Sequence, residues 1–182
     1  MSSGKIILVT GGARSGKSSY ALGRAESSPL CPKIFVATAE ALDAEMQERI
    51  ATHQRERGPA WTTVEAPSDL CGAVAALPPD CAAVVDCLTV WMGNVWHVAG
   101  GQASAIRGQT AALVKALQRW RSLSTGTLWI VTNEVGWGIV PIDAGVRVFR
   151  DEAGRLSQQV AGVADEVYLC VCGVAMKVKP QQ

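Results

Sequence analysis

Long apolar runs are missing from this chain, and so is a surplus of either charge. Stretches such as Ala82-Ala83-Val84-Val85 are strand length, far short of the roughly 20 residues that a membrane-spanning helix needs. A membrane span is therefore excluded. The first apolar run leads straight into a glycine-rich loop instead of a cleavage site, which argues against a signal peptide and for a cytoplasmic protein. Seventeen basic residues face 16 acidic ones, a net charge of +1. Nothing in that balance points to a general affinity for nucleic-acid phosphates, which requires a surplus of Lys and Arg on one face, and it leaves room for a local basic patch. The six cysteines are Cys31, Cys71, Cys81, Cys87, Cys170 and Cys172, and no two form a C-x-x-C pair. A zinc knuckle or disulfide framework is disfavoured, and buried free thiols are expected. Cys170 and Cys172 are two apart on an expected strand, which gives them a shared face. Repeats, low-complexity tracts and linkers are absent too, so residues 1–182 are expected to form a single domain.

What is present is an alternation of short β-branched runs with amphipathic segments. Lys5 to Thr10, Ile34 to Thr38, Trp61 to Val64, Ala82 to Asp86 and Thr127 to Thr132 read as strands. Asp165 to Cys172 and Val174 to Val178 read as two closing strands joined near Gly173. Helices are expected over Lys17 to Glu26, Asp43 to Arg57, Ser68 to about Ala76, Leu88 to Val98, Ala103 to Arg121 and Asp143 to Ala161. Met46 and Ile50 give the second of these its i, i+4 stripe, and Gly58-Pro59 stops it. Ser68 is the expected N-cap of the third. Strands separated by helices predict an α/β fold in three layers, a mostly parallel sheet flanked by helices. Ligands of such sheets bind beyond the carboxyl ends of the strands. That rule puts the glycine-rich loop, Thr38, Asp86 and Asn133-Glu134 at one rim.

The loop itself is Gly11-Gly12-Ala13-Arg14-Ser15-Gly16-Lys17-Ser18. It matches G-x-x-x-x-G-K-[ST], with a strand before it and a helix after it, the pattern of a P-loop NTPase. Glycines let the backbone wrap closely, so that successive N–H groups point at phosphate oxygens. The helix adds the positive end of its dipole. Lys17 is the group to neutralise the outer phosphates, and the Ser18 hydroxyl is a ligand for Mg²⁺. Arg14 adds a phosphate contact or faces solvent. Asp86, at the end of an apolar strand, reads as a metal or water ligand, as an N-cap for the helix at Leu88, or as both. The motif alone does not name a reaction, since ATPases, kinases and GTPases share it.

Further segments narrow the choice. They are Ala37-Thr38-Ala39; Asp43-x-Glu45-Met46-x-x-Arg49-Ile50-x-x-His53; Trp61-Thr62-Thr63-Val64-Glu65; Asn133-Glu134-Val135-Gly136-Trp137-Gly138-Ile139-Val140-Pro141; Phe149-Arg150-Asp151; and Ala164-Asp165-Glu166-Val167. With the loop, over about residues 5 to 179, this series resembles the bifunctional adenosylcobinamide kinase / adenosylcobinamide-phosphate guanylyltransferase of cobalamin biosynthesis. The resemblance implies a RecA-like fold and two activities. ATP or GTP phosphorylates the aminopropanol hydroxyl of adenosylcobinamide. GMP then moves from GTP onto that phosphate through a GMP–histidine intermediate, giving adenosylcobinamide-GDP and pyrophosphate. It also implies Mg²⁺ as cofactor and a homotrimer.

His53 stands at the family's histidine position. Imidazole is a competent nucleophile near neutral pH, and its phosphoramidate leaves readily when protonated. The other histidine, His97, matches no motif and reads as a packing or surface residue. The resemblance carries nucleotide contacts to Ala37, Thr38, Ala39, Gln54, Arg55, Glu56, Arg57, Glu65 and Asp86. Without it, Arg55 and Arg57 are the solvated end of a helix and Glu65 is a strand-end carboxylate. Asn133-Glu134 positions water, metal or the corrinoid side chain, or else Asn133 caps its own turn before Gly136. Thr52 stands where some relatives carry a second histidine, and Asp86 where some carry Glu. Trp91, Trp96 and Trp137 are either subunit contacts or buried packing. Two rival readings remain: a plain small-molecule P-loop kinase with an inert His53, and a RecA-like nucleotide switch.

Overall fold

The computed structural model describes residues 3–41, 47–48, 51, 54–55 and 57–180. Its strands are β1 (Lys5–Gly11), β2 (Lys33–Ala37), β3 (Trp61–Glu65), β4 (Ala82–Asp86), β5 (Thr127–Asn133), β6 (Glu166–Val171) and β7 (Val174–Lys179). Its helices are α1 (Lys17–Glu26), α2 (Leu70–Ala75), α3 (Leu88–Val98), α4 (Ala103–Leu123) and α5 (Ala144–Val163). The expected helix over Asp43 to Arg57 falls largely outside the described residues, though Gln54, Arg55 and Arg57 are helical.

The strands form one sheet in the order β3-β2-β4-β5-β1-β6-β7. All neighbours are parallel except β7, which returns antiparallel to β6. Central strands read as unbroken apolar runs because both faces are covered, and β1 is buried from Ile6 onward. Alternation sorts their side chains into two cores. Ile6, Leu8, Ile34, Val36, Val85, Leu128 and Ile130 pack against helices α2 to α5. Ile7, Val9, Phe35, Val84, Trp129 and Val131 lie on the other face with Ala21 and Ala25 of α1. The result is the expected three-layer arrangement.

Two local expectations need correction. Asp69, not Ser68, caps α2: its Oδ1 accepts from Gly72 N at 2.8 Å. Both residue types can cap, and the chain enters the helix one residue later than the motif suggests. Cys172 does not share a face with Cys170. β6 ends at Val171, and Cys172 sits in the tight turn with φ 52°, exposed, while Cys170 is buried. All six cysteines are free thiols, but only Cys81, Cys87 and Cys170 are buried.

Two carboxylates tie elements together. Glu152 of α5, 2% exposed, accepts from Arg107 of α4 at 2.8 Å and is also held by Arg155. Glu166 accepts from Lys5 and Lys177 at 2.9 Å and from Tyr168 Oη at 2.9 Å, joining β1, β6 and β7. Burial alone would raise its pKa, but these donors bring it down to about 2. A depressed carboxylate stabilises the fold above its unfolded value and loses that contribution as pH falls through the folded value. The stability difference between wild type and Glu166→Gln is therefore constant above about pH 5 and shrinks toward zero near pH 2. Denaturant midpoints measured across that range check it.

Candidate active site

The glycine-rich loop joins β1 to α1 and is shaped by close approach. A Cβ on Gly11 would lie 2.5 Å from Ser15 Oγ and 2.6 Å from the Cys170 carbonyl oxygen. Gly16 is left-handed, with φ 90°, and a Cβ there would lie 3.0 Å from Gly173 Cα in the β6–β7 turn. That turn also donates from Gly173 N to the Ser15 carbonyl at 2.9 Å. The loop is thus braced by a segment far away in sequence. Gly16 caps α1 without a side-chain hydrogen bond, which leaves first-turn N–H groups to receive an anion. Lys17 is 8% exposed, and its Nζ donates to the Gly12 carbonyl at 3.0 Å, folding back over the loop. Ser15 Oγ is buried without a hydrogen-bond partner among the described residues. Gly12, Ala13 and Arg14 are exposed, and Ser18 is half-buried. The cradle combines open backbone donors with one buried cation, which suits an anionic oxygen.

The adjacent strand ends supply the rest of the rim. Thr38, fully buried after β2, accepts from Cys87 N at 2.7 Å and donates to the Cys87 carbonyl at 2.9 Å. Glu65, Ala37 and Asp86 stand in register across β3, β2 and β4. Asp86 is half-buried. Helix α3 is capped by Cys87 without a side-chain bond, so the capping alternative for Asp86 is not adopted. Arg57 is 5% exposed and lies over the Phe35 ring, 3.7 Å from its centroid. Burial lowers its pKa and the charge of Asp86 opposes that shift. It is no solvated helix end, whereas Gln54, Arg55 and Glu65 are exposed. His53 and Glu56 lie outside the described residues. The Cys87 thiol is pushed up to about 11, first by burial and then by Asp86. Burial also raises Cys170, against the charge of Lys17. Neither thiol supplies a thiolate near neutral pH.

Strand order separates these residues into two groups. Asn133 is in register with Gly11, whereas β3 is four places from β1. At about 4.8 Å per strand, Glu65 lies roughly 19 Å from the phosphate-loop strand. The loop, Asp86 and Asn133-Glu134 gather near the centre, and Glu65 marks the far edge. Sequence reasoning missed Asn94, whose Nδ2 donates to the carbonyls of Thr38 at 2.8 Å and Pro67 at 2.9 Å. A lone amide in the apolar helix Leu88–Val98 was the available signal. His97 is exposed in the last turn of α3. Of the three tryptophans, Trp91 is buried, Trp96 packs edge-on to Phe149, and Trp137 is 71% exposed.

The family model for cobinamide kinase / cobinamide phosphate guanyltransferase, CobU, matches residues 7–178. The chain belongs to this family. The CobU bifunctional adenosylcobalamin biosynthesis protein of Salmonella typhimurium is 39% identical, over 96% of this chain and 99% of that one. The CobP protein of Pseudomonas aeruginosa is 38% identical, over 94% and 96%. Among solved structures, the RadB recombinase superposes with a TM-score of 0.55 at 14% identity, covering 92% of this chain and 74% of its own. The type III secretion ATPase EscN of enteropathogenic E. coli gives 0.58 at 10% identity, covering 93% and 43%. These likenesses establish the fold of this CobU-family chain as that of the P-loop NTPases.

Proposed function

We propose that this CobU-family protein phosphorylates the aminopropanol hydroxyl of adenosylcobinamide with ATP or GTP, then guanylylates the product with GTP through GMP on His53. The observation that carries the reading is the phosphate cradle in a chain whose family match runs nearly end to end. Gly11, Gly12, Ala13, Arg14, Ser15 and Gly16 wrap the nucleotide phosphates, and Lys17 swings from the Gly12 carbonyl to a phosphate oxygen. Mg²⁺, when bound with nucleotide, neutralises charge on the phosphates. Ser18 and Asp86 are the residues that would hold it. Their donors are hard oxygens, as Mg²⁺ prefers. A Mg²⁺ taken largely by phosphates needs only one or two protein ligands.

Ala37, Thr38, Ala39, Gln54, Arg55, Glu56, Arg57, Glu65 and Asp86 hold the nucleotide that reacts with His53. Guanylyl transfer forms an Nimidazole–Pα bond while the Pα–O bond to pyrophosphate breaks. The phosphate of the corrinoid then displaces the imidazole. The burial of Arg57 over Phe35 supports a fixed place for this cation beside β2. We assign the protein to the cytoplasm and to a homotrimer. Trp137 at 71% exposure, Ile139 at 96% and Ile142 at 99% support a subunit contact.

Incubation with α-labelled GTP and Mg²⁺, followed by denaturation, tests the assignment. The expected product is protein carrying acid-labile, alkali-stable GMP. Kinase turnover without any such adduct would reduce the reading to a plain kinase. Hydrolysis indifferent to adenosylcobinamide would point to a nucleotide switch.

A further inference from the structure

We infer that Glu134 is the general base of the phosphoryl-transfer step. The inference rests on the kinase reading above and gives a role to a residue the motif leaves unexplained. β5 lies beside the phosphate-loop strand, and Glu134 follows its last residue. Glu134 N donates to the Gly11 carbonyl at 3.0 Å, which stitches its backbone to the first residue of the loop. Its Oε1 accepts from Thr10 Oγ1, across 124 positions of sequence. Oε2 has no hydrogen-bond partner among the described residues. One oxygen is thus held while the other is open to a ligand, and the half-buried side chain can return a proton to solvent.

Other groups at this rim do not fit the task. Lys17 is a cation, and burial keeps the nearby thiols of Cys87 and Cys170 protonated. Asp86 serves the metal in the reading above. Glu65 is four strand positions from β1, and His97 lies exposed in the last turn of α3. Among the described residues, Glu134 remains as the carboxylate beside the loop. In the step it serves, the acceptor hydroxyl gives its proton to Oε2 as its oxygen bonds to the γ-phosphorus. The bond from that phosphorus to the β,γ-bridging oxygen breaks, and the nucleoside diphosphate leaves with the electron pair.

Three variants test the role, with adenosylcobinamide and ATP as substrates. Glu134→Gln can still accept from Thr10 but cannot take a proton. Its kcat should fall about 100-fold or more, with KM for ATP and the melting temperature near wild type. Glu134→Asp should recover part of that loss. Thr10→Val removes the orienting hydroxyl and not the base, so its loss should be about tenfold or less. Glu134→Gln turning over within threefold of wild type would overturn the inference. So would Thr10→Val falling as far as Glu134→Gln, because the residue would then act only through its bond to Thr10. Lack of turnover by the wild-type protein is a different result, since it sinks the kinase reading itself.

Discussion

His53→Ala protein exposed to α-labelled GTP should retain no acid-labile GMP, and formation of adenosylcobinamide-GDP should fall by about a thousandfold or more, the scale on which loss of a covalent nucleophile registers. GTP and the corrinoid phosphate are both anions, and direct attack of one on the other is slow. A neutral imidazole attacks without that repulsion, and the resulting phosphoramidate is a good leaving group once protonated. The sequence holds one other imidazole, His97. His97 is exposed at the far end of α3, and the thiols of Cys81 and Cys87 are raised to about 11 by burial. Acid-quenched labelling of wild type, His53→Ala and His97→Ala decides between the histidines. Label that survives His53→Ala and disappears in His97→Ala would move the nucleophile.

Lys17→Ala should lower kcat/KM for phosphorylation of adenosylcobinamide by about 100- to 1,000-fold, the cost of removing one preorganised charge from a phosphoryl transition state. Lys17 is the buried cation of the loop, held 3.0 Å from the Gly12 carbonyl. Its removal leaves the backbone cradle intact, so ATP still binds and the loss falls mainly in kcat. Lys17→Arg should not rescue it. The planar guanidinium is wider than an ammonium, and this position is only 8% exposed. Steady-state kinetics of both variants with ATP titration check the split. An Arg variant at full rate would mean that charge alone suffices.

The parts that were legible in the sequence are those set by local chemistry. Lys17–Glu26, Ala82–Asp86 and Leu88–Val98 have the bounds expected from the pattern, because Gly16, Ser27-Ser28-Pro29, Pro78-Pro79 and Gly100-Gly101 punctuate the chain around them. The order of strands was not legible. Nothing in Asn133-Glu134 announces that β5 lies beside β1, so the contact of Glu134 with Thr10 could not be foreseen. Arg57 was ambiguous for a related reason. A cation at a helix end is ordinarily solvated, and only the fold brings Phe35 and Asp86 to it. Ser68 and Asp69 are chemically equivalent as caps, so choosing between them required backbone geometry. Cys172 misled because alternation on a strand says nothing once the strand has ended.

The hydrogen bond from Gly173 to Ser15, and the contact of that turn with Gly16, bear on the order in which the molecule can be made. Gly11 to Ser18 are synthesised long before the turn that braces them. A nascent chain still lacking β6 and β7 has its phosphate loop without this brace. The first motif written is thus completed only when Gly173, far along the chain, has been made and has docked against it.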